Sequence, residues 1–171
     1  MQFNDFEKMV IPFKDKLYRF SLRIVGNAFD AEDVIQEVML KLWKKREAFE
    51  NVKNKEAWCM TITRNMSIDW LRGKKKPTLD IADRQDIKDG GIDAHSQMEL
   101  NDLQRMVRNC IAELPEKQKE VIHLRDIEGY AYKEIAEITD TSVDQVKVLI
   151  YRGRQRLKEI IIKKKLWTSK Q

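Results

Sequence analysis

Residues 132–158 read YKEIAEITDTSVDQVKVLIYRGRQRLK, and the fold turns on this stretch. At 100° per residue, Val146, Leu149, Ile150, Gly153, Leu157 and Ile160 fall on one face of a single helix. Lys147, Tyr151, Arg154 and Lys158 fall on an adjacent face, with Arg152 further round. One face asks for a core and the other for something negative. Just upstream, residues 132–138 form a short helix whose packing side is Ile135, Ala136 and Ile138. The turn TDT follows, and Ser142 with Gln145 three positions on is a capping box that starts the second helix. Two short helices joined by a few turn residues, the second basic, make a helix-turn-helix. Gly153 then lets a neighbouring helix approach closely.

Charge is concentrated at the same place. The chain of 171 residues carries a formal net charge of +5. Residues 142–171 hold nine Lys/Arg against two Asp/Glu, whereas residues 96–141 hold six against ten. A basic helix of this kind points to an anionic partner, with nucleic acid first. A second helix of a helix-turn-helix lies in a major groove with its N-terminal residues against base edges. Here those residues are Asp144, Lys147, Val148 and Tyr151. Lys147 can bond guanine, Asp144 can accept from cytosine and Val148 can meet a thymine methyl. Arg152, Arg154, Arg156 and Lys158 come later and suit phosphates, which position without specifying.

The rest of the chain is helical in pattern too, and only three Pro and six Gly occur in all. A short first helix is expected to end near Pro12, with a second over 13–25 stopped by Gly26 and Asn27. Asp30 is expected to cap a third running to about residue 46. A polar loop, EAFENVKN, follows, and a fourth helix covers about 55–72. From residue 73 the periodicity vanishes, and 74–95 reads as a linker. Ser96 and Glu99 form a capping box for the next helix, which ends near Leu114; Pro115 opens another through about Ile127, closed by Gly129.

Three groups of side chains in the first half carry candidate chemistry. Leu40 projects among Asp33, Gln36, Glu37 and Lys41, opposite a wide apolar face of the third helix. A leucine ringed by polar groups is the pattern of a protein-binding patch, though single exposed leucines are common. Asp33 and Glu37 also read as paired carboxylates of a metal-dependent hydrolase, without a third ligand in the motif. On the fourth helix Thr61, Asn65, Asp69 and Arg72 make a polar stripe able to read bases or simply to be solvated. Phe49 and Trp58 are either stacking platforms for unpaired bases or core aromatics.

Other classes fare poorly. Cys59 and Cys110 lie far apart in apolar patterns and read as small core residues rather than a redox switch. His95 and His123 have no partners at metal spacing, so no metal and no cofactor is expected. No apolar run approaches the roughly 18 residues of a membrane span. The opening MQFNDFEKM is polar and acidic, unlike a signal peptide. A cytoplasmic protein without membrane insertion is expected.

Taken together, DAEDVIQEVMLKLWKKR, AWCMTITRNMSIDWLR and LPEKQKEVIHLRDIEGYAYKEIAEITDTSVDQVKVLIYRGRQRLK resemble the extracytoplasmic-function (ECF) group of bacterial sigma factors. The resemblance covers nearly the whole chain. It implies an all-α protein of two small helical domains on a flexible linker, the second containing the helix-turn-helix. Residues 1–73 would be the sigma region-two domain, 74–95 the linker and 96–171 the region-four domain. It implies no enzyme, but a dissociable initiation subunit that binds core RNA polymerase through its β′ and β subunits. By this resemblance Asp33, Gln36, Glu37 and Leu40 contact polymerase. Asn65, Asp69, Arg72 and Phe49 meet melted minus-ten DNA, the loop 48–54 holding a flipped-out base. Asp144, Lys147, Val148, Tyr151, Arg152 and Arg154 meet the double-stranded minus-thirty-five element. An anti-sigma factor is a further expected partner. Two departures stand out: Asp140 occupies a turn position where relatives usually carry Gly, and Asp144 one where many carry a small residue. Nothing follows Gln171, so the minimal two-domain form is expected. A helix-turn-helix regulator with an N-terminal dimerisation or sensing module is the competing expectation.

Overall fold

The structure, a computed structural model, describes residues 2–74 and 96–168, with side chains placed for 2–74 and 104–164. Every regular element among the described residues is helical. In order these are α1 (Phe3–Val25), α2 (Ala28–Lys44), α3 (Arg46–Asn51), α4 (Lys55–Lys74), α5 (Ser96–Ala112), α6 (Glu116–Ile122), a π-helical turn (His123–Ile127), α7 (Tyr132–Thr139) and α8 (Val143–Thr168). The chain divides into two compact units, the first holding α1–α4 and the second holding α5, α6, the π-helical turn, most of α7 and α8. The expected linker, apart from Lys74, lies outside the described residues, as do the side chains of the expected Ser96–Glu99 capping box.

In the first unit α1 packs on α2 and α4. Two expected helices are in fact one, because α1 runs unbroken through Pro12. Phe6, Val10, Leu17 and Phe20 are all buried, at spacings of 4, 7 and 3, so one continuous apolar face spans the proline. Burying that face outweighs the hydrogen bond that Pro12 forfeits. Gly26 then stops the helix at φ +87°, its N–H donating to Leu22 O at 2.9 Å. The cap of α2 is Asn27, not Asp30: Asn27 Oδ1 accepts from the Asp30 N–H at 2.9 Å.

The loop expected after α2 contains the short helix α3. Its purpose is visible in Phe49, which is fully buried, with ring centroids 5.7 Å from Phe6 and 5.8 Å from Trp58. One apolar anchor in a polar stretch is enough to fold it down. A buried ladder of hydroxyls joins α4 to α1: Thr63 donates to Cys59 O, Ser67 donates to Thr63 O, and Ser67 Oγ also lies 3.1 Å from Ser21 Oγ. Lys16 and Glu56 clamp the same two helices at 2.7 Å.

In the second unit α8 packs on α5 and α6. Gly153 is needed there, since a Cβ on it would come within 2.9 Å of Ile122 Cγ1. The expected helix through Ile127 is α only as far as Ile122; it widens at His123 into the π-helical turn. Glu128 N donates to His123 O at 3.0 Å and Tyr130 N to Leu124 O at 2.9 Å, while Gly129 takes φ +82°. The widened turn seals His123 and Glu128 inside, Nε2 lying 3.3 Å from Oε1.

Candidate nucleic-acid interface

The helix-turn-helix forms where the sequence places it. Asp140 ends α7 in the left-handed region at φ 52°, a conformation Asp tolerates better than most residues. Thr141 N donates to Ala136 O at 3.0 Å across the turn. The expected capping box is present: Gln145 N donates to Ser142 Oγ at 3.2 Å, and Ser142 N to Gln145 Oε1 at 3.4 Å. Ile135, Ile138, Val146 and Ile150 are buried, and Leu149 and Leu157 are half-buried. That leaves Asp144, Lys147, Val148, Tyr151, Arg152 and Arg154 exposed on α8. Val148 and Tyr151 are 46% and 66% exposed, two side chains one helical turn apart on the outer face.

Two of the exposed cations already hold acids. Lys147 Nζ lies 3.3 Å from Asp144 Oδ1, one helical turn away. Arg154 is gripped by Asp126 of the π-helical turn through both Nε and Nη2. That hydrogen bond raises the guanidinium pKa further. The sequence pattern gives Arg154 phosphate as its partner; in the structure it holds a carboxylate.

In the first unit Asn65, Asp69 and Arg72 line one exposed face of α4, with Asp69 and Arg72 paired loosely at 3.6 Å. Phe49 does not join them. It is 0% exposed, so the expectation of a DNA contact there is corrected: its ring fills the core between α1 and α4. Cys59 is sealed as well; burial, with the Glu56 charge nearby, pushes its thiol up to about 12.

On α2, Asp33, Gln36, Glu37 and Leu40 all stand exposed, Leu40 at 61%. Phe29, 79% exposed, is a candidate that sequence reasoning misses. Eleven residues before Leu40, it falls within about 20° of it around the helix, a relation the spacing alone carries. Among the described residues no group of three His, Cys, Asp or Glu stands ready to hold a metal ion. No described helix is long and apolar enough to cross a membrane.

The comparisons with known proteins fit this division. Residues 9–76 match Sigma-70 region 2, and residues 104–157 match Sigma-70, region 4. The ECF RNA polymerase sigma factor SigW of Bacillus subtilis is 30% identical over 165 residues, spanning 90% of this chain and 87% of its own length. The chain belongs to the ECF sigma factors. The sigma-E factor of Haemophilus influenzae is likewise 30% identical over 166 residues, covering 91% of this sigma factor and 87% of itself. Two solved structures share the fold. One is the co-crystal structure of the sigma factor RpoE with the anti-sigma factor NepR from Bartonella quintana, with TM-score 0.70 at 23% identity, covering 92% of this chain and 96% of that one. The other is CnrH in complex with the cytosolic domain of CnrY, with TM-score 0.67 at 21% identity, covering 94% and 89%. This ECF sigma factor directs promoter-specific transcription, binding core RNA polymerase and promoter DNA.

Proposed function

We propose that the two units divide promoter recognition between them. α8 enters the major groove of the minus-thirty-five duplex, with Asp144, Lys147, Val148 and Tyr151 at base edges and Arg152 on the backbone. α4 presents Asn65, Asp69 and Arg72 to the melted minus-ten strand. α2 docks Leu40, rimmed by Asp33, Gln36 and Glu37, on the β′ subunit, and β completes the polymerase surface. Residues 1–73 and 96–171 act as the two domains and 74–95 as their linker, although α4 itself extends to Lys74. The factor is not an enzyme, and it acts in the cytoplasm. An anti-sigma factor is its further partner, as NepR is of RpoE in one of the structures that share its fold.

The observation that carries this is α8 itself. Its N-terminal turns expose Val148 and Tyr151 beside a basic stripe, while Val146 and Ile150 on the other side are buried. Beside cations, such a pair suits base edges, where the thymine methyl offers an apolar contact. The test adds the purified protein to core RNA polymerase on its own genomic DNA and maps transcript starts. New starts sharing two spaced upstream motifs are expected. Folded, uninhibited protein that yields none would overturn the proposal.

A further inference from the structure

The basic stripe of α8 is Lys147, Tyr151, Arg154 and Lys158, at i, i+4, i+7 and i+11. Arg154 is in its middle, yet its charge is already answered. Nη2 donates to Asp126 Oδ1 at 2.5 Å and Nε donates to Oδ2 at 3.2 Å, a two-point match of guanidinium to carboxylate. The two residues are 28 apart in sequence. The π-helical turn brings them together, and the same turn is tied down by Arg125, which donates to Tyr130 O at 2.8 Å. Both side chains remain open to water, at 51% and 34% exposure.

An exposed ion pair of this kind contributes little stability, typically below about 1 kcal/mol. Its larger consequence is electrostatic. A carboxylate beside the stripe cancels one cation, and it occupies the two donors that phosphate oxygens would use. Phosphate contacts strengthen binding to every sequence alike. Genomic DNA offers vastly more wrong sites than promoters, so this sequence-independent grip governs how much protein is held off target.

We propose that Asp126 is a tuning residue that withholds Arg154 from the DNA backbone and so limits the sequence-independent grip of α8. This rests on the assignment of α8 to the minus-thirty-five duplex. Affinity then comes from Lys147, Val148, Tyr151 and Arg152 first, and the stripe stays one cation weaker than its sequence suggests.

The experiment uses holoenzyme assembled from core polymerase and the full chain. Its affinity is measured by fluorescence anisotropy for a duplex carrying the upstream element and for the same duplex scrambled, over a series of KCl concentrations. Asp126→Asn should tighten binding several-fold on both duplexes and steepen the log–log salt slope by about 0.9, the value for one further phosphate neutralised. Asp126→Ala should do the same, and thermal melting checks that both variants are folded. Arg154→Gln alone should change affinity less than about twofold with an unchanged slope, within the scatter of a surface site. Adding Arg154→Gln to Asp126→Asn should abolish the tightening. Tightening that persists in the double variant would mean simple repulsion by Asp126, and overturns the proposal. So would no effect of Asp126→Asn, or a slope flattened by about one in Arg154→Gln, since Arg154 would then reach phosphate regardless. Wild-type holoenzyme that binds both duplexes equally would instead overturn the assignment of α8, and the comparison of variants would still decide the role of Asp126.

Discussion

Asp30 shows how one side chain can tie two helices together. Burial pushes its carboxyl up, but hydrogen bonds from Lys74 and Asn27, with the Lys74 charge, outweigh this and hold it below its ordinary value. Lys74 Nζ lies 2.6 Å from both Asp30 oxygens, joining the last residue of α4 to the first turn of α2. The face of α4 proposed to read bases is thereby tied to the helix that presents Leu40. Because the folded pKa is depressed, the stabilisation is fully present above the unfolded value and is lost as pH falls through the folded one. Lys74→Met should therefore cost roughly 1 kcal/mol at neutral pH, as partly exposed charged hydrogen bonds do. The difference from wild type should vanish as pH drops through the carboxylate range, in paired urea titrations; a difference independent of pH would assign the loss to packing. Leu40 gives the opposite kind of prediction. At 61% exposure its replacement by Asp should shift stability by no more than about 0.5 kcal/mol. A buried interface anchor is worth more than about 1 kcal/mol, so polymerase affinity should fall about fivefold or more. Unchanged affinity in a competition assay would remove Leu40 from the interface.

At the scale of elements, Gly153 tests how tightly α8 is seated. A Cβ there meets Ile122 Cγ1 at 2.9 Å and Cδ1 at 3.3 Å, and Ile122 is only 2% exposed, so the closer atom belongs to the middle of a buried side chain rather than its free end. Overpacking costs about 1–3 kcal/mol, whereas Ala in place of Gly favours a helix by about 1 kcal/mol. Gly153→Ala should therefore destabilise the protein by roughly 1 kcal/mol. Combining it with Ile122→Ala should cost less than the two separate losses added, by at least about 0.5 kcal/mol; strict additivity in denaturant melts would mean the two sites do not touch. Gly153 is legible as a close-approach residue because it sits on the apolar face of α8. The Ser142–Gln145 cap and the left-handed turn at Asp140 are legible for a similar reason: their chemistry is local. What escapes the sequence is what depends on partners far along the chain. Pro12 reads as a boundary, since the packing that overrides it comes from α2 and α4. Phe49 reads as either a stacking platform or a core aromatic, since the neighbours that decide it, Phe6 and Trp58, lie 43 residues before and 9 after it. Asp126 is unreadable because its partner is set by a π-helical turn that no spacing rule announces.

At the scale of the molecule, each unit has a core of its own. Phe6, Leu17, Phe20, Leu42, Phe49 and Met60 are buried in the first, and Cys110, Val121, Leu124, Val146 and Ile150 in the second. The residues proposed to face DNA are split in the same way, Asn65, Asp69 and Arg72 on α4 and Asp144 to Arg152 on α8. Two modest interfaces on one chain bind far better than either alone, because the first contact presents the second at a high effective concentration. That advantage needs covalent continuity. A protease site inserted within residues 75–95 isolates it. After cutting, each half should keep its helicity, read by circular dichroism. Run-off transcription from a promoter carrying both elements should then need at least about a hundredfold more protein than with the uncut chain, the low end of what joining two sites supplies. Shortfall of activity with retained helicity would place the benefit in the connection itself. Full activity of the cut chain at the concentration where the intact chain just saturates would show that one unit carries initiation alone, and the division of promoter reading between α4 and α8 would have to be abandoned.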